Sequence, residues 1–169
     1  MKIGSLRDLF EMELRYAYDC EQKLAKKGLP LMIESSTSTE LRNALEQHLK
    51  QTRNHITRLE RVFAVVRSEA KTEDNDALDE LTSSVKDTVG DIDESYLRDA
   101  ALIVGGNKVE HYEMALYGSL VAFARQLGYS DAVTLLQQTL TEEKEADAKL
   151  TQIAETAINS QASTERRAA

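Results

Sequence analysis

KVEHYEMALYG, residues 108–118, is the stretch that decides how this chain folds. It lies between AALIV at residues 100–104 and SLVAFA at residues 119–124, so the surrounding helix is apolar on nearly every side. Yet its central turns carry Glu110, His111 and Glu113. Burying a carboxylate is costly unless it is paired or ligates a metal. Such a helix is stable only if neighbouring helices bring partners for those groups at the same depth.

The rest of the chain supplies helices. Among 169 residues there are one proline, seven glycines and no tryptophan, which leaves few breakers. Leu, Ala, Glu, Lys, Arg and Gln, all good helix formers, are abundant. These features give an all-α chain long enough for one domain with a sizeable core. The formal net charge is −8 and no Lys/Arg block occurs, which argues against nucleic acid as a partner. The single Cys20 allows no intramolecular disulfide. The first residues are charged throughout, with no signal segment, and no run reaches the ~18 apolar residues of a membrane span. The expected location is the cytoplasm, away from the membrane.

Hydrophobic spacing predicts four long helices over about residues 5–33, 40–68, 94–127 and 130–159. Gly28 and Pro30 should kink or break the first near its end. Thr37 and Glu40 fit a capping box for the second, Gly128 a C-terminal cap for the third, and Ser130 an N-cap for the fourth. Leu78, Leu81, Val85 and Val89 mark a short extra helix near residues 75–89. Two helical hairpins joined by one long crossover give a ferritin-like antiparallel four-helix bundle over residues 1–159. Residues 160–169 read as a disordered tail. The third helix is also apolar beyond its core stripe, at Ala101, Val104, Ala115 and Leu116. A helix apolar all round is buried all round, so its outer face should meet the extra helix or a second subunit; a homodimer is expected.

Each long helix interrupts its apolar stripe near mid-length. The first does so at Glu21, and the second at His48, Gln51/Thr52 and His55. The third does so at Glu110 and Glu113, and the fourth at Glu143 and Asp147. Residues three or four apart share a helix face, so the pairs can converge. Carboxylates with imidazoles suit iron or manganese better than thiolate-loving metals. The rival reading is a metal-free network in which Arg15, Lys108, Lys144 or the histidines neutralise the carboxylates. His111 could orient a ligand or make a surface contact. Glu11, Glu13, Glu46, Glu60, Glu142 and Glu145 read as a solvated face.

RDAALI (98–103), KVEHYEMALYGSL (108–120), QLGYSDA (126–132) and TLTEEKEADAKL (139–150) closely resemble the ferritin-like YciE/YciF family, as do YDCEQKL (18–24) and HLKQT (48–52). The resemblance implies a bacterial stress-associated protein with a rubrerythrin-like fold, commonly a homodimer, with a di-iron or similar site. It assigns Glu21, Glu110, Glu113 and Glu143 to the glutamate positions of that site. Two positions depart from the pattern. Asp147 stands four residues after Glu143, where a His three residues on is usual, and Gln51 stands where relatives carry Glu. His55, one turn later, is placed to compensate, and one or two ions remain open. With iron, such a site would reduce oxygen or peroxide. No CxxC pair is present to feed it electrons, and no Ser/His/Asp arrangement or phosphate-binding loop points to another chemistry. The competing expectation is a non-enzymatic dimeric structural or stress protein whose polar layer holds no metal.

Overall fold

The structure is a computed structural model that describes residues 3–165. The described residues form helices α1 (Leu6–Lys23), α2 (Leu29–Ser35), α3 (Thr39–Val65), α4 (Asp76–Gly90), α5 (Tyr96–Gln126), α6 (Ser130–Ile153) and α7 (Asn159–Thr164). Two π-helical turns, Leu24–Gly28 and Ala154–Ile158, join α1 to α2 and α6 to α7 without breaking the helical path. Gly28 and Pro30 therefore do not end the first helix. Leu29 donates to the carbonyl of Leu24, so the register widens just ahead of the proline, which enters in the first turn of α2 where its missing N–H matters least.

α1, α3, α6 and α5 pack cyclically, each against the next, and residues 66–95 cross from α3 to α5. This is the four-helix bundle with one crossover that the sequence implied. α4 lies in the crossover and packs against α5. That contact is close: a Cβ on Gly105 would stand 2.6 Å from Val85 Cγ1. α4 thus covers part of the outer face of α5, while Leu97 and Val104 stay 52% and 55% exposed.

The helix ends show why some boundaries read from sequence were off. α3 is capped by Ser38, whose hydroxyl accepts from Leu41 N–H, and not by Thr37. Thr37 and Ser38 instead donate their backbone N–H groups to the fully buried Asp99 carboxylate at 2.8 Å and 2.7 Å, which ties this loop to α5. α6 begins at Ser130, but Tyr129 is its cap residue and no side chain bonds there. Gly128, at φ +76°, does end α5 as expected. Tyr129 N–H reaches Ala124 O and Gly128 N–H reaches Arg125 O, the paired bonds of a Schellman motif. The chain stays helical through Thr164, and Glu165 accepts from the N–H groups of Tyr96 and Leu97 at the start of α5. Of the segment read as a tail, residues 166–169 lie outside the described residues.

The core divides into two apolar clusters. One holds Phe10, Leu14, Leu59, Phe63, Tyr117 and Leu136; the other holds Leu24, Leu41, Leu45, Leu102, Leu150 and Ile153. The polar residues of the four stripes lie between them. Among the described residues, no helix is long and apolar enough to cross a membrane.

Candidate metal centre

The stripe in α3 runs Leu41, Leu45, His48, Thr52, His55, Leu59 and Val62, all buried. Alternating steps of three and four keep them on one face, so the two imidazoles enter the core because their apolar neighbours do. The same logic carries Glu21 inward between Ala17 and Leu24, Glu113 between Val109 and Leu116, and Glu143 between Leu140 and Leu150.

Two sets of ligand atoms result. One atom from each of His48, Glu110, Glu113 and Glu143 lies within 4.8 Å of the others, and so do atoms of Glu21, His55 and Glu143. Glu143 belongs to both. His48 Nε2 is 3.1 Å from Glu110 Oε1 and 3.8 Å from Glu143 Oε2. His55 Nδ1 is 2.9 Å from Glu143 Oε1 and 3.2 Å from Glu21 Oε1.

These separations satisfy distance but not direction. His55 Nδ1 and both oxygens of Glu143 have no hydrogen-bond partner, nor do Glu21 Oε2, Glu110 Oε2 and Glu113 Oε2. Buried polar atoms are nearly always bonded, so a cluster of orphans at one depth calls for an explanation. In each set the ligand atoms lie close enough for one ion to be held among them. Donors about 2.1 Å from a small divalent ion would stand about 3.0–4.2 Å apart around an octahedron, within the observed spread. Charge agrees as well: four carboxylates and two neutral imidazoles balance two divalent ions. The residues present therefore fit a metal at either of two neighbouring positions, with Glu143 common to both sets.

Packed at this depth, the carboxyls and imidazoles shift one another's proton affinities. Burial pushes the carboxyls of Glu21 and Glu143 above their ordinary range, and the His55 and His48 charges only partly offset this. Glu113, buried beside Glu143, Glu21 and Glu110, is pushed far higher. For the histidines, burial alone would lower the pKa. Glu110 overrides it and raises His48 to about 9, and Glu21 with Glu143 raises His55 to about 11.

The supporting groups hold these side chains in place. Tyr117 donates its phenol proton to Glu21, and the Cys20 thiol lies 3.5 Å from Glu113 Oε1. His55 Nε2 meets Glu142 at 2.7 Å, and Arg58 forks onto the two oxygens of Glu142 at 3.1 Å each. A carboxylate on the far ring nitrogen fixes the tautomer and aims the other nitrogen at the site. Glu142 is thus part of the centre and not the solvated face expected of it. Its clue in the sequence was Arg58, three residues after His55 on the same helix. Asp147 falls outside both sets. Gln51 lines a cavity next to His48 and Glu110, and Asp147 pairs with the exposed His111 at 3.3 Å. Asp147 stands one helical turn beyond Glu143, where His111 of α5 meets it.

A family model described as Domain of unknown function (DUF892) matches residues 5–163. Protein YciF of Escherichia coli K12 is 35% identical over 166 residues, 96% of this chain and 98% of that one. The crystal structure of the E. coli stress protein YciF superposes with a TM-score of 0.88 at 34% identity, over 93% of this chain and 99% of that one. YcfI from Rhodopseudomonas palustris superposes with a TM-score of 0.86 at 38% identity, over 89% and 95%. With the family model and YciF both matched over nearly its whole length, this chain belongs to the DUF892 family of YciF-like helical bundles.

Proposed function

We propose that this protein is a cytoplasmic, stress-related metal-binding bundle that holds iron or manganese at two neighbouring positions. His48, Glu110 and Glu113 serve one, Glu21 and His55 serve the other, and Glu143 serves both. The observation that carries this reading is the set of orphaned buried carboxylate oxygens from three helices around two imidazoles from the fourth. Iron bound there would supply electrons to a small oxidant, oxygen or peroxide. The chain's own residues would hold the ions, exclude water with the two apolar clusters, and orient His55 through Glu142 and Arg58.

Metal analysis of protein purified without a chelator tests the reading. The expected result is up to two equivalents of iron or manganese per chain, about one in His48→Ala and in His55→Ala, and none in Glu143→Ala. A second reading, a structural protein without metal, draws on the proximity of His48 and His55 to the carboxylates, which their charged forms would offset. Metal-free protein with no change in thermal stability on anaerobic addition of Fe(II) or Mn(II) would establish that alternative. We also propose a homodimer through the outer face of α5, because Leu97 and Val104 remain exposed there along the edge of α4.

A further inference from the structure

The two positions of the candidate centre differ in their access to solvent. The side chains of His48 and Glu110 are 9% and 4% exposed, whereas those of His55, Glu21 and Glu143 are at most 1% exposed. On the His55 side the seam between α3 and α6 is shut. Arg58 bonds Thr139 Oγ1 at 2.6 Å and Glu142 at 3.1 Å, so guanidinium, hydroxyl and carboxylate span the two helices. Two to three turns away, along the same seam, a cavity of about 250 Å³ opens. Its walls include Ala44 and Gln51 of α3 and Ala146 and Lys149 of α6, and its lining reaches His48 and Glu110. Small side chains from both helices leave the gap. At its rim Lys149 lies 3.6 Å from Glu40, across the seam.

We propose that this α3–α6 cavity is the port through which hydrated divalent ions and small exogenous ligands reach the centre, and that the His48 position fills and empties first. The inference rests on the metal-binding reading above. Three features support it. The cavity reaches His48 and Glu110, the two most exposed of the candidate ligands. The opposite stretch of the same seam is sealed by charged hydrogen bonds. The volume falls below the range of about 300–1,000 Å³ typical of pockets for drug-sized ligands, so it admits an ion or a molecule of a few heavy atoms. The neutral Gln51 amide lets a cation pass along the wall without the tight hold a carboxylate there would exert.

The test closes the port without touching a ligand. Ala146→Phe fills it from α6, and Ala44→Leu does so independently from α3 should the first variant fold poorly. Each is loaded with Co(II) by long incubation and then challenged with EDTA; the metal retained is measured at timed intervals. Azide is added to parallel samples and the visible Co(II) spectrum is followed. The expected result is full Co(II) stoichiometry in the variants, with extraction slowed at least tenfold and the azide response slowed alike. His48→Ala should abolish the fast-extracted fraction. Full loading with parental extraction and azide rates in both variants overturns the port while leaving the metal reading intact. Failure of the parent chain to bind Co(II) at all overturns both.

Discussion

The chelator-treated protein should lose stability as pH rises through the neutral range, and the loaded protein should not. His48 moves from about 6.5 when unfolded to about 9 in the fold. A group whose folded pKa is raised stabilises the fold fully below its unfolded value. That contribution fades as pH climbs from about 6.5 and is gone above about 9. At about 1.4 kcal/mol for each tenfold change in proton affinity, His48 contributes on the order of 3 kcal/mol. His55, raised to about 11, adds loss of the same sign that continues to higher pH. The carboxyls of Glu21, Glu113 and Glu143 are also raised, chiefly by burial, so their deprotonation acts in the same direction from about pH 4.5 upward. For a chain of this size, about 3 kcal/mol corresponds to roughly 6–12 °C in Tm. Circular dichroism melts of EDTA-treated protein at pH 6 and pH 9.5, in about 0.15 M salt, should show at least that fall. In His48→Gln the fall should shrink by the His48 share, which separates the site from general repulsion in an acidic chain. Protein loaded with Mn(II) should hold or gain stability over the same range, because metal competes with protons for the ligands. A flat or rising Tm in the chelator-treated protein, or an unchanged slope in His48→Gln, would refute the reasoning.

Glu142→Gln should lower metal affinity about 10–100-fold at the His55 position, because the far nitrogen of the ring loses its carboxylate; competition with a chelator measures it. Gly105→Ala should cost about 1–3 kcal/mol in denaturant melts, since its Cβ would stand 2.6 Å from Val85 and force α4 away from α5. Asp99→Ala strips the acceptor from the N–H groups of Thr37 and Ser38 and should cost about 3 kcal/mol or more, with no change in metal stoichiometry. Leu97→Asp combined with Val104→Asp should give a monomeric mass by light scattering where the parent is dimeric; a parent already monomeric at micromolar concentration removes the basis for the dimer.

Periodicity alone determined that four long stripes exist and that each breaks near its middle with acidic or imidazole groups. Leu41, Leu45, His48, Thr52, His55 and Leu59 share a face whatever they pack against, because 3.6 residues per turn is a local property of the backbone. Glycine at 128 likewise ended α5 for a local reason, the left-handed conformation at its φ of +76°. What lay beyond the sequence depended on contacts between segments distant along the chain. Glu142 read as surface because its partners, His55 and Arg58, lie more than eighty residues away. Asp99 lies in the first turn of α5, and the loop before α3 buries it completely by donating two backbone N–H groups to it. Asp147 and Gln51 sit close enough to the stripes to pass for ligands in one dimension. Only the packing of the helices set Asp147 against His111 of α5, outside both ligand sets, and put Gln51 on the cavity wall beside His48 and Glu110. The same packing left Ala44 and Ala146 lining one cavity between α3 and α6 and joined the two helices at Arg58. Side-chain spacing fixes which residues share a face of one helix, and only the packing of all four decides where each face points.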